Sequence, residues 1–226
     1  MYTADQLNTL LEQPMYGWDT LALLGDIEDF LNFSELNIQQ QFERELKRTR
    51  AECAGIEFDD PSMSELYRSH QIENVTYRFE VSLVQRVRYS GLTVLMTSIE
   101  WTLIALERHT KVPLPKVPKG VSESVHRLTS LAVLTNLTLE PQISLLSCLI
   151  QVRNCIIHSA GRIETYRHKE DLRKKLIAHI GIKLSRSNFL GEGIEIEQGY
   201  LQSVLEDTKN WLVGLEKAMH QQGQLR

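Results

Sequence analysis

Proline and glycine restrict this chain most, because they are scarce and fall in a few places: six prolines and twelve glycines among 226 residues. The intervals between them are long and rich in Leu, Glu, Gln, Arg and Ala, residues that lose little freedom in a helix. From Asp19 to about Cys53, Leu21, Leu24, Ile27, Phe30, Leu31, Ile38, Phe42 and Leu46 recur at a helical period. Glu43, Arg44, Glu45, Lys47, Arg48 and Arg50 make the opposite, solvated face. The acidic stretch from Gly55 to Glu73, with Asp59-Asp60-Pro61, reads as a connection. A second long helix is expected from about Glu73 to Thr110, through Val75, Phe79, Leu83, Val87, Val94, Ile99 and Leu106, with Gly91 a candidate for a bend.

Residues 111–120 carry Pro113, Pro115 and Pro118, which exclude helix and favour an extended, exposed loop. Helices are expected over Ser122–Leu134, from Pro141 to about Ala160 with Gly161 as the stop, and over Lys169–Ile180. After Gly181 the period changes. Ile182-Lys183-Leu184 and Ile194-Glu195-Ile196 alternate apolar with polar around Gly191 and Gly193, which predicts a small hairpin. A final amphipathic helix spans Tyr200–His220. The fold class is therefore all-α: an up-and-down helical bundle with a small C-terminal β-hairpin. Residues 1–60 read as an N-terminal helical extension, 75–181 as the core, and 182–226 as a hairpin and helix packed on it.

Several function classes drop out. The chain is 42% hydrophobic and 24% charged, as an ordinary globular protein is. A net charge of −4 excludes a basic nucleic-acid coat but not a local basic patch. No apolar run approaches the roughly eighteen residues of a membrane helix. The opening MYTADQLNTLLEQ is polar and amphipathic, unlike a signal peptide. A cytoplasmic protein without membrane contact is expected. Cys148 and Cys155 lie on one helix about 10 Å apart along its axis, too far to pair, and Cys53 stands alone. With no zinc spacing anywhere, the three read as buried free thiols, and neither metal nor cofactor is expected.

The most informative segment is residues 141–161. Most of it is apolar, as a central helix should be, yet Ser144, Ser147, Gln151, Asn154 and His158 recur at spacings that put them on one side. Arg153 borders this strip, roughly 140° from His158 and about 7 Å along the axis. One helix cannot bring these two side chains face to face. Two copies across a twofold axis can, and each residue then appears twice in one cleft.

Arg153-Asn154-Cys155-Ile156-Ile157-His158, with Gly161 following, resembles the RNxxxH form of the Arg-x(4–6)-His motif of the HEPN superfamily. Arg162–His168 and Arg173–His179 also satisfy the loose spacing. The Asn after the Arg, the aliphatic filling and the position at the end of an apolar helix single out Arg153–His158. The resemblance covers about residues 75–181. It implies a helical, often dimeric domain, and a metal-independent endoribonuclease of the kind found in toxin–antitoxin and antiphage defence systems. It assigns catalytic roles to Arg153, Asn154 and His158. A neutralising antitoxin or regulatory partner is implied as well. Where one toxin subclass has a modifiable tyrosine two positions after the His, this chain has Ala160, so that mode of control is not expected.

The residue types suit the chemistry. Cleaving RNA without a metal requires an activated 2′-hydroxyl, a stabilised anionic phosphorus and a protonated leaving oxygen, giving 2′,3′-cyclic phosphate ends. An imidazole titrates near neutrality and serves as base or acid. A guanidinium fork matches phosphate oxygens. Glu100, inside the apolar run VLMTSIEWTLIAL, needs a partner, and Arg153 is the one expected. Gln151 is a supporting polar residue on the strip. The densest basic stretches, Lys111, Lys116 and Lys119 on the proline loop and Arg167, Arg173 and Lys174 after the motif, are candidate phosphate contacts. Two other classes compete: an inactive module of the same fold that binds RNA, nucleotide or protein, and a helical adaptor dimerising through residues 19–53.

Overall fold

The computed structural model describes residues 18–187 and 191–225. Helix α1 spans Trp18–Ala54, and α2 runs unbroken through Pro61–His109. Then follow α3 (Glu123–Thr135), α4 (Glu140–Ser159), α5 (Lys169–Ile177), strands β1 (Ile182–Ser187) and β2 (Gly191–Ile196), and α6 (Tyr200–Gln221). The chain is mostly helical with one two-stranded antiparallel hairpin. Residues 61–73, expected as a connection, are helical. Asp60 caps α2 by accepting from the Ser62 N–H at 2.8 Å, and Pro61 occupies the first turn, where its missing N–H costs nothing. Between Tyr77 and Leu83 this helix widens into a π turn. Gly91 lies in regular helix, and a Cβ there would strike the Leu31 side chain, so its role is close approach of α1 to α2.

One core joins every element. Leu24, Ile27 and Leu31 of α1 pack with Leu92, Leu95 and Met96 of α2, Leu128 of α3, Leu149 and Val152 of α4, and Leu201 and Leu205 of α6. The first half of α1 thus belongs to the bundle and does not stand apart as an extension. Its second half and the first half of α2 form an antiparallel arm beyond that core. Phe42 and Phe79 stack there with ring centroids 5.9 Å apart. Arg68 Nε donates to the Cys53 carbonyl at 3.3 Å, covering an orphan acceptor at the end of α1.

The hairpin is more than an appendage. Ile182 pairs with Ile196 and Leu184 with Ile194, and Ile182, Ile194 and Ile196 are buried in the core. The free edge of β2 is satisfied from two sides. Gln85 of α2 donates to the Ile196 carbonyl at 2.9 Å and accepts from its N–H at 3.0 Å, and Tyr89 Oη donates to the Ile194 carbonyl. Residues 161–163 bond the same strand: Ile194 N–H to the Gly161 carbonyl at 2.9 Å, and Ile163 N–H to that of Glu192 at 3.1 Å. By length and composition α2 is apolar enough to cross a membrane, with a mean hydropathy of 1.2 in its most apolar stretch, half of which is buried inside the bundle. A core helix has these same properties.

Candidate functional site

Helix α4 runs antiparallel to α2, since Arg153 meets Glu100 while Gly161 meets Tyr89. Its N-terminal end starts at Glu140-Pro141. At the other end Ala160 takes the left-handed conformation at φ 49°, Gly161 follows at φ 78°, and the Gly161 N–H returns to the Cys155 carbonyl at 3.2 Å. No Cβ fits on Gly161, because it would lie 2.5 Å from Tyr89 Oη. The end of the motif helix is therefore fixed twice, by its own cap and by its bonds to β2.

Arg153 is half-buried on the α2–α4 seam. Its Nη2 donates to Glu100 Oε1 at 2.9 Å and its Nη1 to Asn154 Oδ1 at 3.2 Å. Its Nε is buried with no partner among the described residues. A buried orphan donor on a positively charged group marks a place for an acceptor. His158 is exposed, one turn past Asn154 on the same side of α4 and roughly 140° around the helix from Arg153. Asn154 leans on Arg153. The two helices that carry the pair also hold three apolar side chains open to solvent: Val94 at 46% and Trp101 at 65% on α2, and Ile157 at 50% on α4. Trp211 is buried.

The rest of the polar strip has another use. Gln151 Nε2 donates to Asp171, and Lys175 Nζ donates to Ser147 Oγ at 2.9 Å, so α5 covers the middle of α4. The hydrogen bond from Gln151, aided by Lys175, holds the Asp171 carboxyl below its ordinary range. Gln151 is thus tied into helix packing and not turned to the Arg153 seam.

The basic candidates are not gathered at the motif. Lys111, Lys116 and Lys119 are exposed on the loop after α2, roughly 25 Å along the axis from the level of His158. Arg167 and Lys174 are exposed, while Arg173 is ion-paired with Glu192 of β2. Two cations that the sequence did not single out, Arg86 and Arg162, line a cleft between α2, the α4 cap and the hairpin. They stand far apart in the chain and are joined only by the docking of the hairpin. The cysteines are all buried and free, and burial pushes the Cys148 and Cys155 thiols up to about 11, away from nucleophilic use at neutral pH. Among the described residues no three His, Cys, Asp or Glu side chains are grouped to hold a metal ion.

Comparison with known proteins returns no match: no family model, no curated protein and no solved structure is similar to this chain. The helical fold and the geometry above are what any functional reading has to rest on.

Proposed function

We propose that the chain is a HEPN-like, metal-independent endoribonuclease that cleaves RNA by attack of a 2′-hydroxyl, at a site pooled between two copies. The observation that carries this reading is the state of Arg153: a guanidinium held in place by Glu100 and Asn154, with its Nε unpaired among the described residues, on a helix whose end carries an exposed His158. Held donors aimed at developing charge cost no reorganisation during reaction. The open apolar side chains Val94, Trp101 and Ile157 on the two helices that carry the pair favour a second copy as the cover, since apolar surface gains from leaving water. The partner's imidazole then supplies what one α4 helix cannot present to its own Arg153.

A second reading draws on the Glu100–Arg153 pair itself. A carboxylate partner lowers the net charge offered to phosphate, which suits an inactive module that binds RNA without turnover. One experiment separates the two. Mixed-sequence RNA incubated with the protein in EDTA is expected to yield fragments ending in 2′,3′-cyclic phosphate, with His158→Ala silent. RNA bound and recovered whole would favour the module, and no affinity for RNA would overturn both. A toxin role in the cytoplasm, restrained by an antitoxin, is part of the proposal. Growth arrest on expression, relieved by His158→Ala, is its readout.

A further inference from the structure

The cleft between α2, the α4 cap and the hairpin has a free volume of about 120 Å³, enough for a phosphate group with the rest of its ligand outside. Arg86 reaches it from α2 and Arg162 from the residue after Gly161. Neither guanidinium has a carboxylate within ion-pairing distance among the described residues, on a chain whose net charge is −4. Arg162 rests against Gly193, where any Cβ would meet its Nη1 at 3.3 Å, so the glycine leaves the fork its place. The one acid on the wall, Glu195, is already paired with Lys183 Nζ at 3.1 Å. Both cations line the same cleft as the Tyr89 ring, whose Oη donates to the Ile194 carbonyl of β2. Tyr77, Val81 and Ser82 of the π turn form part of the wall toward α2, and π turns recur at functional sites.

The cleft has an exit. A second hollow shares Arg86, Tyr89 and Ala160 with it and continues past Thr93 and Ile156 along the α2–α4 seam. Ile156 stands less than one turn from Arg153. Arg162 and Arg86 thus share the cleft, and Arg153 lies on the same α2–α4 seam beyond the second hollow, with Arg86 and Glu100 about 21 Å apart along the axis of α2.

We propose that Arg86 and Arg162 hold a backbone phosphate of single-stranded RNA whose chain continues along the α2–α4 seam to Arg153. This rests on the reading of the chain as an RNA-cleaving protein and assigns the strand its path. The test measures anisotropy of a labelled single-stranded RNA of mixed sequence with the uncleaving His158→Ala protein and with the same protein carrying Arg86→Gln, Arg162→Gln or both. Each single change is expected to weaken binding about tenfold, and the pair to flatten the salt dependence by about one phosphate contact. Thermal melting should not move, because neither guanidinium has a partner to lose. Wild-type affinity and salt slope in the double variant would overturn the assignment, even if the unmutated protein cleaves RNA. Binding that depends on both arginines without any cleavage would keep the assignment and remove the nuclease reading. No binding by any form removes both.

Discussion

Glu100 and Arg153 form the contact on which the proposed chemistry turns, and each explains the other's place. An acid within an apolar helix run and a guanidinium facing it share the cost of leaving water. The side chains keep 30% and 22% exposure, so the pair is worth less than a sealed one. Glu100→Gln is expected to cost about 1 kcal/mol in urea unfolding. A double-mutant cycle with Arg153→Gln should show coupling of similar size; additive losses would mean that Glu100 does not position Arg153. The buried phenol and thiols make a second prediction. Tyr89 is pushed up to about 12 from 10.0, and Cys148 and Cys155 to about 11 from 9.0, each by burial. The native state favours their neutral forms, so this stability is whole below about pH 9 and is lost as pH climbs to between 11 and 12. Tyr89→Phe should cost about 1 kcal/mol at neutral pH, where the Ile194 carbonyl loses its donor. Denaturation followed against pH should show a shallower alkaline fall for that variant.

Helix α4 ends on an alanine in a conformation that alanine resists. Ala160→Gly is expected to raise stability by about 1 kcal/mol, read from the urea midpoint. Gly91→Ala should do the reverse by about 1–3 kcal/mol, because Leu31 already fills the space over that glycine. Much of this level was legible in the sequence. The bounds of α3, α4 and α6 follow from caps and period to within a residue or two, and Glu100 announced its need for a partner. The start of α2 was hidden, since Ser62, Glu65 and Ser69 face water and leave little apolar period, though Asp60-Pro61 is a helix-start pair. Within the site, the strip on α4 was readable but its division was not. Periodicity shows which residues share a face; it does not show that α5 will cover Ser147 and Gln151 and leave His158 bare. The pairing of Arg86 with Arg162 was hidden for the same reason: Arg162 stood out only as one end of a loose Arg–His spacing, and tertiary docking alone brings the two together.

Across the molecule, the bundle and the arm differ in how they are held. The bundle shares one core, while the arm depends on Phe42, Phe79, Cys53 and the Arg68 bond. Amide exchange in residues 36–80 is expected to be faster than in 91–106 by orders of magnitude. Equal protection would mean that arm and bundle unfold together. Two copies sharing one notch should also complement. Arg153→Ala mixed with His158→Ala should regain RNA cleavage that neither has alone, and Trp101→Glu should abolish both dimer and activity in sedimentation and cleavage assays.

The π turn at Tyr77–Leu83 sets the direction in which that arm points. Each residue of an α-helix advances the chain by about 100° around the axis. Deleting a single residue in this stretch would restore an ordinary hydrogen-bond ladder and turn the stretch Pro61–Thr76 by about that angle relative to the rest of α2. Phe79 would leave Phe42, and the two helices of the arm would meet out of step, like gears slipped by a tooth, with the bundle behind them unchanged.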